Sequence, residues 1–106
     1  MAEPRLIDTV GECQAAVAQL ETENVIAVDI EGIDLGRQGE VCLIQVYGVS
    51  SPSVLLFDVF TMGPDAFDSG GLRRLLESDT VTKRIFDVRA DGEALNNYHN
   101  AKLRAV

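Results

Sequence analysis

Two carboxylates lie two residues apart in Asn-Val-Ile-Ala-Val-Asp-Ile-Glu-Gly, residues 24–32, where they end an otherwise apolar run. Side chains at i and i+2 of a strand point to one face. Asp29 and Glu31 would therefore project side by side from the end of a buried element. Neighbouring anions repel, and taking either out of water is costly. The remedies are a shared proton, a basic partner or a hard metal ion. No Lys or Arg lies between Arg5 and Arg37, so a basic partner has to come from elsewhere in the fold. The metal reading leads. Hard oxygen ligands suit Mg²⁺ or Mn²⁺, which take few protein carboxylates and complete their shell with water and phosphate oxygens. The competing reading is a strand end in solvent that binds nothing, and one Asp-x-Glu alone does not decide between the two.

A second group of polar residues is Arg84-Ile85-Phe86-Asp87-Val88-Arg89-Ala90-Asp91, which runs into a helical pattern with Leu95 and Tyr98. Asp91 falls in the first turn of that helix, where a carboxylate either complements the helix dipole or serves as a ligand. Arg89 either contacts phosphate or pairs with a nearby acid. Asp58 shares a strand face with Leu56, opposite to Phe57, and reads as structural. Cys42 has no His at strand spacing to activate it as a nucleophile. The glycine-rich stretch 63–71 lacks the Gly-Lys ending of a phosphate-cradling loop.

The elements that must hold these residues follow from periodicity. Leu6 and Ile7 suggest a short first strand. Thr9 and Glu12 form a capping box ahead of Val10, Cys13, Ala16, Val17 and Leu20 at helical spacing, and this helix is expected to end near 22–24. Residues 24–31 read as a central strand with apolar residues on both faces. Glu40–Tyr47 and Val54–Phe60 read as the next two strands, joined by short turns into an antiparallel meander. Residues 61–71 read as loop, 71–78 as a short helix, Thr82–Val88 as a strand reached by a crossover, and Ala90–Asn100 as a helix. The expected fold is α/β, with a mixed sheet of three antiparallel strands plus a parallel fourth and flanking helices.

The chain of 106 residues fits one small domain, with 46% hydrophobic and 25% charged residues. Its net charge of −8 argues against a broad basic surface for phosphate backbones. Bound divalent cations would reverse the local sign. Seven of the basic residues fall between Arg73 and Arg104, which leaves the first part strongly acidic. Cys13 and Cys42 form no CxxC pair and read as buried thiols. No basic segment precedes an apolar stretch at the start, and no apolar run approaches a membrane span. An intracellular protein without a membrane segment is expected.

Taken together, the motifs resemble the DEDD family of 3′–5′ exonucleases, in the ribonuclease D-like branch with Werner-type and Egalitarian-like members. The likeness rests on Val28-Asp29-Ile30-Glu31-Gly32, on Val41-Cys42-Leu43-Ile44-Gln45-Val46, on Leu56-Phe57-Asp58-Val59, and on Asp87, Arg89 and Asp91 followed by Leu95. It covers roughly residues 5–100. The resemblance implies an RNase H-like sheet with Asp29 and Glu31 on its middle strand. It also implies a two-metal site for Mg²⁺ or Mn²⁺, and a nucleic-acid substrate, either RNA or single-stranded DNA. By resemblance, Asp29 bridges both metals, Glu31 binds the metal that holds the attacking water, and Asp91 binds the second, through water. Arg89 belongs to the motif as a candidate phosphate contact.

The sequence departs from the family in one place. The family's third motif, a Tyr or His followed four residues later by Asp, is not found after Asp91; Tyr98 and His99 have no Asp at that spacing. The expectation is a C-terminally incomplete single domain, lacking the last strand and helix and weak or inactive in this form. The alternatives are a catalytically dead module for RNA binding or dimerisation, and an unrelated acidic interaction domain. An uncovered sheet edge is also expected to favour homodimers or poor solubility.

Overall fold

A computed structural model describes residues 3–33, 40–48 and 53–85. It contains β1 (Arg5–Ile7), α1 (Val10–Leu20), β2 (Val25–Ile33), β3 (Glu40–Gly48), β4 (Leu55–Asp58), α2 (Val59–Met62), α3 (Leu72–Glu77) and β5 (Thr82–Ile85), with a 3₁₀ turn at Gly63–Ala66. The five strands form one sheet in the order β1-β4-β3-β2-β5. β3 pairs antiparallel with both β2 and β4, and the two outer pairings, β1 with β4 and β5 with β2, are parallel. The expected meander and parallel fourth strand are thus present, and the first short strand joins the same sheet. The expected helix over 90–100 and the end of the 82–88 strand lie outside the described residues.

One face of the sheet carries the core. Ile26, Val28 and Ile30 of β2, Ile44 and Val46 of β3, and Leu55 and Phe57 of β4 are buried with Cys13, Ala16, Val17 and Leu20 of α1 and Leu72, Leu75 and Leu76 of α3. Each Val, Leu, Ile or Phe among them contributes about 1.5–3 kcal/mol when removed from water. The opposite face differs from the two-sided burial expected for β2: Val25 is half-buried, and Ala27, Asp29 and Glu31 are exposed. β2 is nevertheless central, because β3 and β5 flank it.

Local chemistry explains the element ends. Thr9 caps α1 by accepting the Glu12 N–H at 3.2 Å, and its hydroxyl donates to Glu12 Oε1 at 2.9 Å. β4 stops at Asp58, earlier than its β-branched and aromatic continuation suggests. Asp58 accepts the Thr61 N–H at 3.1 Å and the Thr61 hydroxyl at 2.7 Å, and so starts α2 at Val59, inside the stretch expected to be strand, from where it runs into the stretch expected to be loop. Gly71 precedes α3 at φ 92°, a left-handed conformation that favours glycine. The Arg74 guanidinium meets Glu21 through two hydrogen bonds of 2.7 and 2.9 Å, tying α3 to the end of α1.

Candidate metal and nucleic-acid site

The alternation of β2 sends Ile26, Val28 and Ile30 into the core and Asp29 and Glu31 out of the other face, both exposed. On β3, Gln45 lies opposite Asp29 and Leu43 opposite Glu31. On β4, Leu56 lies opposite Gln45 and Asp58 opposite Leu43. Two rows therefore cross the open face, Asp29–Gln45–Leu56 and Glu31–Leu43–Asp58. Directly after Glu31 the β2–β3 register shifts: Gly32 pairs with Val41, leaving Cys42 as the extra residue of a bulge. The bulge reverses the alternation of β3, so that Val41 is buried as are Ile44 and Val46.

Neither carboxylate belongs to an ion pair among the described residues. The basic-partner remedy is thus absent within that part of the chain. Glu31 Oε2 accepts a hydrogen bond from Gln45 Nε2 at 3.1 Å. Two solvent-facing carboxylates on one face of a paired strand fit a hard cation, since water and phosphate can complete its shell. Among the described residues no third acid, His or Cys joins them. Asp91 and Arg89, the other residues singled out from the sequence, lie outside the described residues, as do Asp87, Tyr98 and His99.

Beside Asp29 is a shallow pocket of about 290 Å³, lined in part by Ala27, Gln45, Tyr47, Val54 and Arg84. Arg84 pairs with Ala27 in register, and Tyr47 lies opposite Ala27 on the other side. Tyr47 is 45% exposed. The aromatic face and the cation of this pocket carry no motif of their own. The register of β3 and β5 against β2 brings them together, so spacing along the chain does not signal them. Asp58, read from the sequence as structural, is the α2 cap described above.

Two further polar side chains, Lys83 and Cys13, are buried in the packed core. Lys83 has no exposed surface, because β5 places it at a core-facing position opposite the buried Ile26. Its ammonium donates to Ser78 O at 2.6 Å and to Leu75 O at 3.4 Å, closing the C-terminal end of α3. Burial pushes its pKa down, and the charge of Asp79 partly opposes that. Cys13 is buried, donates to Ala66 O at 3.7 Å, and burial raises its thiol pKa to about 11. Cys42 is half-buried rather than buried, and no disulfide links the two. No helix among the described residues is long and apolar enough to cross a membrane.

Comparisons with known proteins bear on the family and the fold. A family model described as 3′–5′ exonuclease matches residues 4–106. The human piRNA biogenesis protein EXD1 is 34% identical over 92 residues, which are 87% of this chain and 17% of the human protein. The structure of Trypanosoma brucei RNase D in complex with RNA U12 superposes with a TM-score of 0.88 at 33% identity, over 98% of this chain and 36% of that one. Escherichia coli RNase D, at 20% identity and a TM-score of 0.73 over 92% of this chain and 24% of its own, shares the fold. The chain thus spans about a sixth of the human relative and about a third of the trypanosomal enzyme. With this family match, and with the RNase H-like mixed sheet that it shares with those enzymes, the chain belongs to the DEDD-type, ribonuclease D-like 3′–5′ exonuclease family.

Proposed function

We propose that the chain is the metal-binding part of a 3′–5′ exonuclease that hydrolyses phosphodiester bonds of RNA or single-stranded DNA and releases nucleoside monophosphates. The observation that carries this reading is the placement of Asp29 and Glu31, exposed side by side on one face of the central strand. Asp29, Glu31 and Asp91 would hold Mg²⁺ or Mn²⁺. Such ions, when bound, supply charge stabilisation to a phosphodiester and lower the pKa of an attacking water. The chain's own part is to present acids on a stiff strand and to orient the substrate. Arg84 and Tyr47 beside Asp29 offer a cation for phosphate and a ring for a base. Arg89 is the further phosphate contact in this reading. An intracellular location accompanies it, consistent with two thiols that form no bridge.

In this reading, a polypeptide of these 106 residues alone would carry Asp29, Glu31 and Asp91 of the family's four acids, without a Tyr or His followed four residues later by Asp. We expect it to be slow or inactive, since loss of a general-base-like group removes about 10²–10⁴ in rate. The test is cleavage of labelled single-stranded RNA and DNA with Mg²⁺ or Mn²⁺, by the full-length gene product and by its Asp29→Ala variant. Activity that survives Asp29→Ala would sink the assignment.

The second reading is a non-catalytic module that binds RNA or dimerises. It is favoured by apolar residues on the carboxylate face: Leu6 is 51% exposed, and its register partner Leu56 is half-buried. Sedimentation that shows a stable monomer would remove dimerisation from this reading.

A further inference from the structure

Glu31 is the longer of the two site acids and loses more rotamer freedom than Asp29 when it is fixed. Its Oε2 accepts the Gln45 amide at 3.1 Å. Gln45 stands opposite Asp29, so this is a diagonal contact across the β2–β3 ladder. β3 is paired on both sides at this position, with Asp29 on β2 and Leu56 on β4, which fixes the backbone that carries the amide. The bulge begins only beyond Glu31, so Gln45 lies in the regular part of the ladder. A donor at this point faces two demands. Lys or Arg would neutralise the acids and compete with a cation, and another acid would add a third repulsion. A neutral amide orients a carboxylate oxygen without cancelling its charge.

We propose that Gln45 is a positioning residue for the metal-binding carboxylates: its amide holds Glu31 Oε2 and leaves Oε1 available as a ligand. The inference rests on the metal reading of Asp29 and Glu31 given above. Partners that hydrogen-bond to a ligating side chain typically contribute about 10–100-fold to metal affinity.

The experiment has a metal-free and a metal-bound arm, both on the purified protein. In the first, NMR follows the Gln45 side-chain amide without metal. Glu31→Gln is expected to move that resonance, and Glu12→Gln, on a distant helix, to leave it in place. In the second, calorimetry titrates Mn²⁺ into wild type, Gln45→Leu and Asp29→Asn, with thermal melting as a check on folding. Gln45→Leu is expected to weaken Mn²⁺ binding about tenfold at an unchanged melting temperature, and Asp29→Asn to abolish it. Wild-type affinity in Gln45→Leu alongside loss in Asp29→Asn overturns the positioning role and leaves the metal site standing. Wild-type affinity in both variants overturns the metal site and this inference with it. Should Gln45→Leu fail to fold, Gln45→Asn gives the same readout, since its amide falls one methylene short of Glu31.

Discussion

Replacing Lys83 separates the contributions of a buried stem and a buried charge. The side chain has no exposed surface, and its ammonium bonds to Ser78 O at 2.6 Å and Leu75 O at 3.4 Å. Lys83→Ala deletes three stem methylenes, at about 0.8 kcal/mol each, so about 2.4 kcal/mol. It also removes a charge-assisted hydrogen bond of about 1.5–3 kcal/mol. Leu75 O still receives the Ser78 N–H at 3.3 Å, so Ser78 O is the acceptor chiefly affected. Removing the ammonium also removes the cost of dehydrating it, which offsets much of that bond, so the expected loss is about 3–4 kcal/mol, a large part of the stability of a domain this size. Lys83→Met keeps the stem and removes the cost of dehydrating an ammonium, which offsets much of the lost bond. Its expected loss is about 1 kcal/mol. Urea denaturation at low temperature measures both. Equal losses in the two variants, or less than about 1 kcal/mol for Lys83→Ala, would refute the argument.

The same residue has a pH signature. Burial lowers the folded-state pKa of Lys83 below its ordinary value of 10.5. Below the folded pKa both folded and unfolded states are charged, and the group adds no slope. Between that pKa and 10.5 the unfolded state binds more protons, so stability rises with pH. Above 10.5 both are neutral. Subtracting the Lys83→Met profile from the wild-type profile isolates this rise, and a flat difference on the alkaline side would contradict it.

Two further tests probe the packing that supports the site. A Cβ at Gly70 would lie 2.5 Å from Ala66 O and 2.8 Å from Cys13 Sγ. Gly70→Ala is therefore expected to cost about 1–3 kcal/mol by overpacking, read as a lower melting temperature. Cys13, buried and with its pKa raised to about 11, is expected to react with a thiol reagent at neutral pH at least tenfold more slowly (roughly) than the half-buried Cys42. Mass spectrometry of alkylated peptides over time checks this, and comparable rates would place Cys13 nearer the surface.

Much of the fold was legible because its signals are local. The Thr9–Glu12 cap and the apolar spacing of α1 need only neighbouring residues. The two-residue period of 25–31 put Asp29 and Glu31 on one face before any partner strand was known. The misreadings arise where local tendencies lose to particular contacts. Val59 and Phe60 suit a strand, yet the Asp58 cap turns them into α2. Apolar residues on both faces of β2 suggested two-sided burial, yet Ala27 is exposed, because burial depends on which elements cover a face.

The sequence by itself determined the family, the central strand and its outward-facing acids, because these depend on residue type and on the alternation of a strand. Register is a long-range property, and only the tertiary structure decided what depends on it. Pairing of β3 with β2 brings Gln45 to Glu31, and a bulge at Cys42 then turns Val41 inward. Pairing of β5 with β2 puts Lys83, an ordinary surface residue by type, against Ile26 and beneath the end of α3. Neither contact follows from spacing along the chain, since a one-residue slip between the strands would turn each side chain to the opposite face.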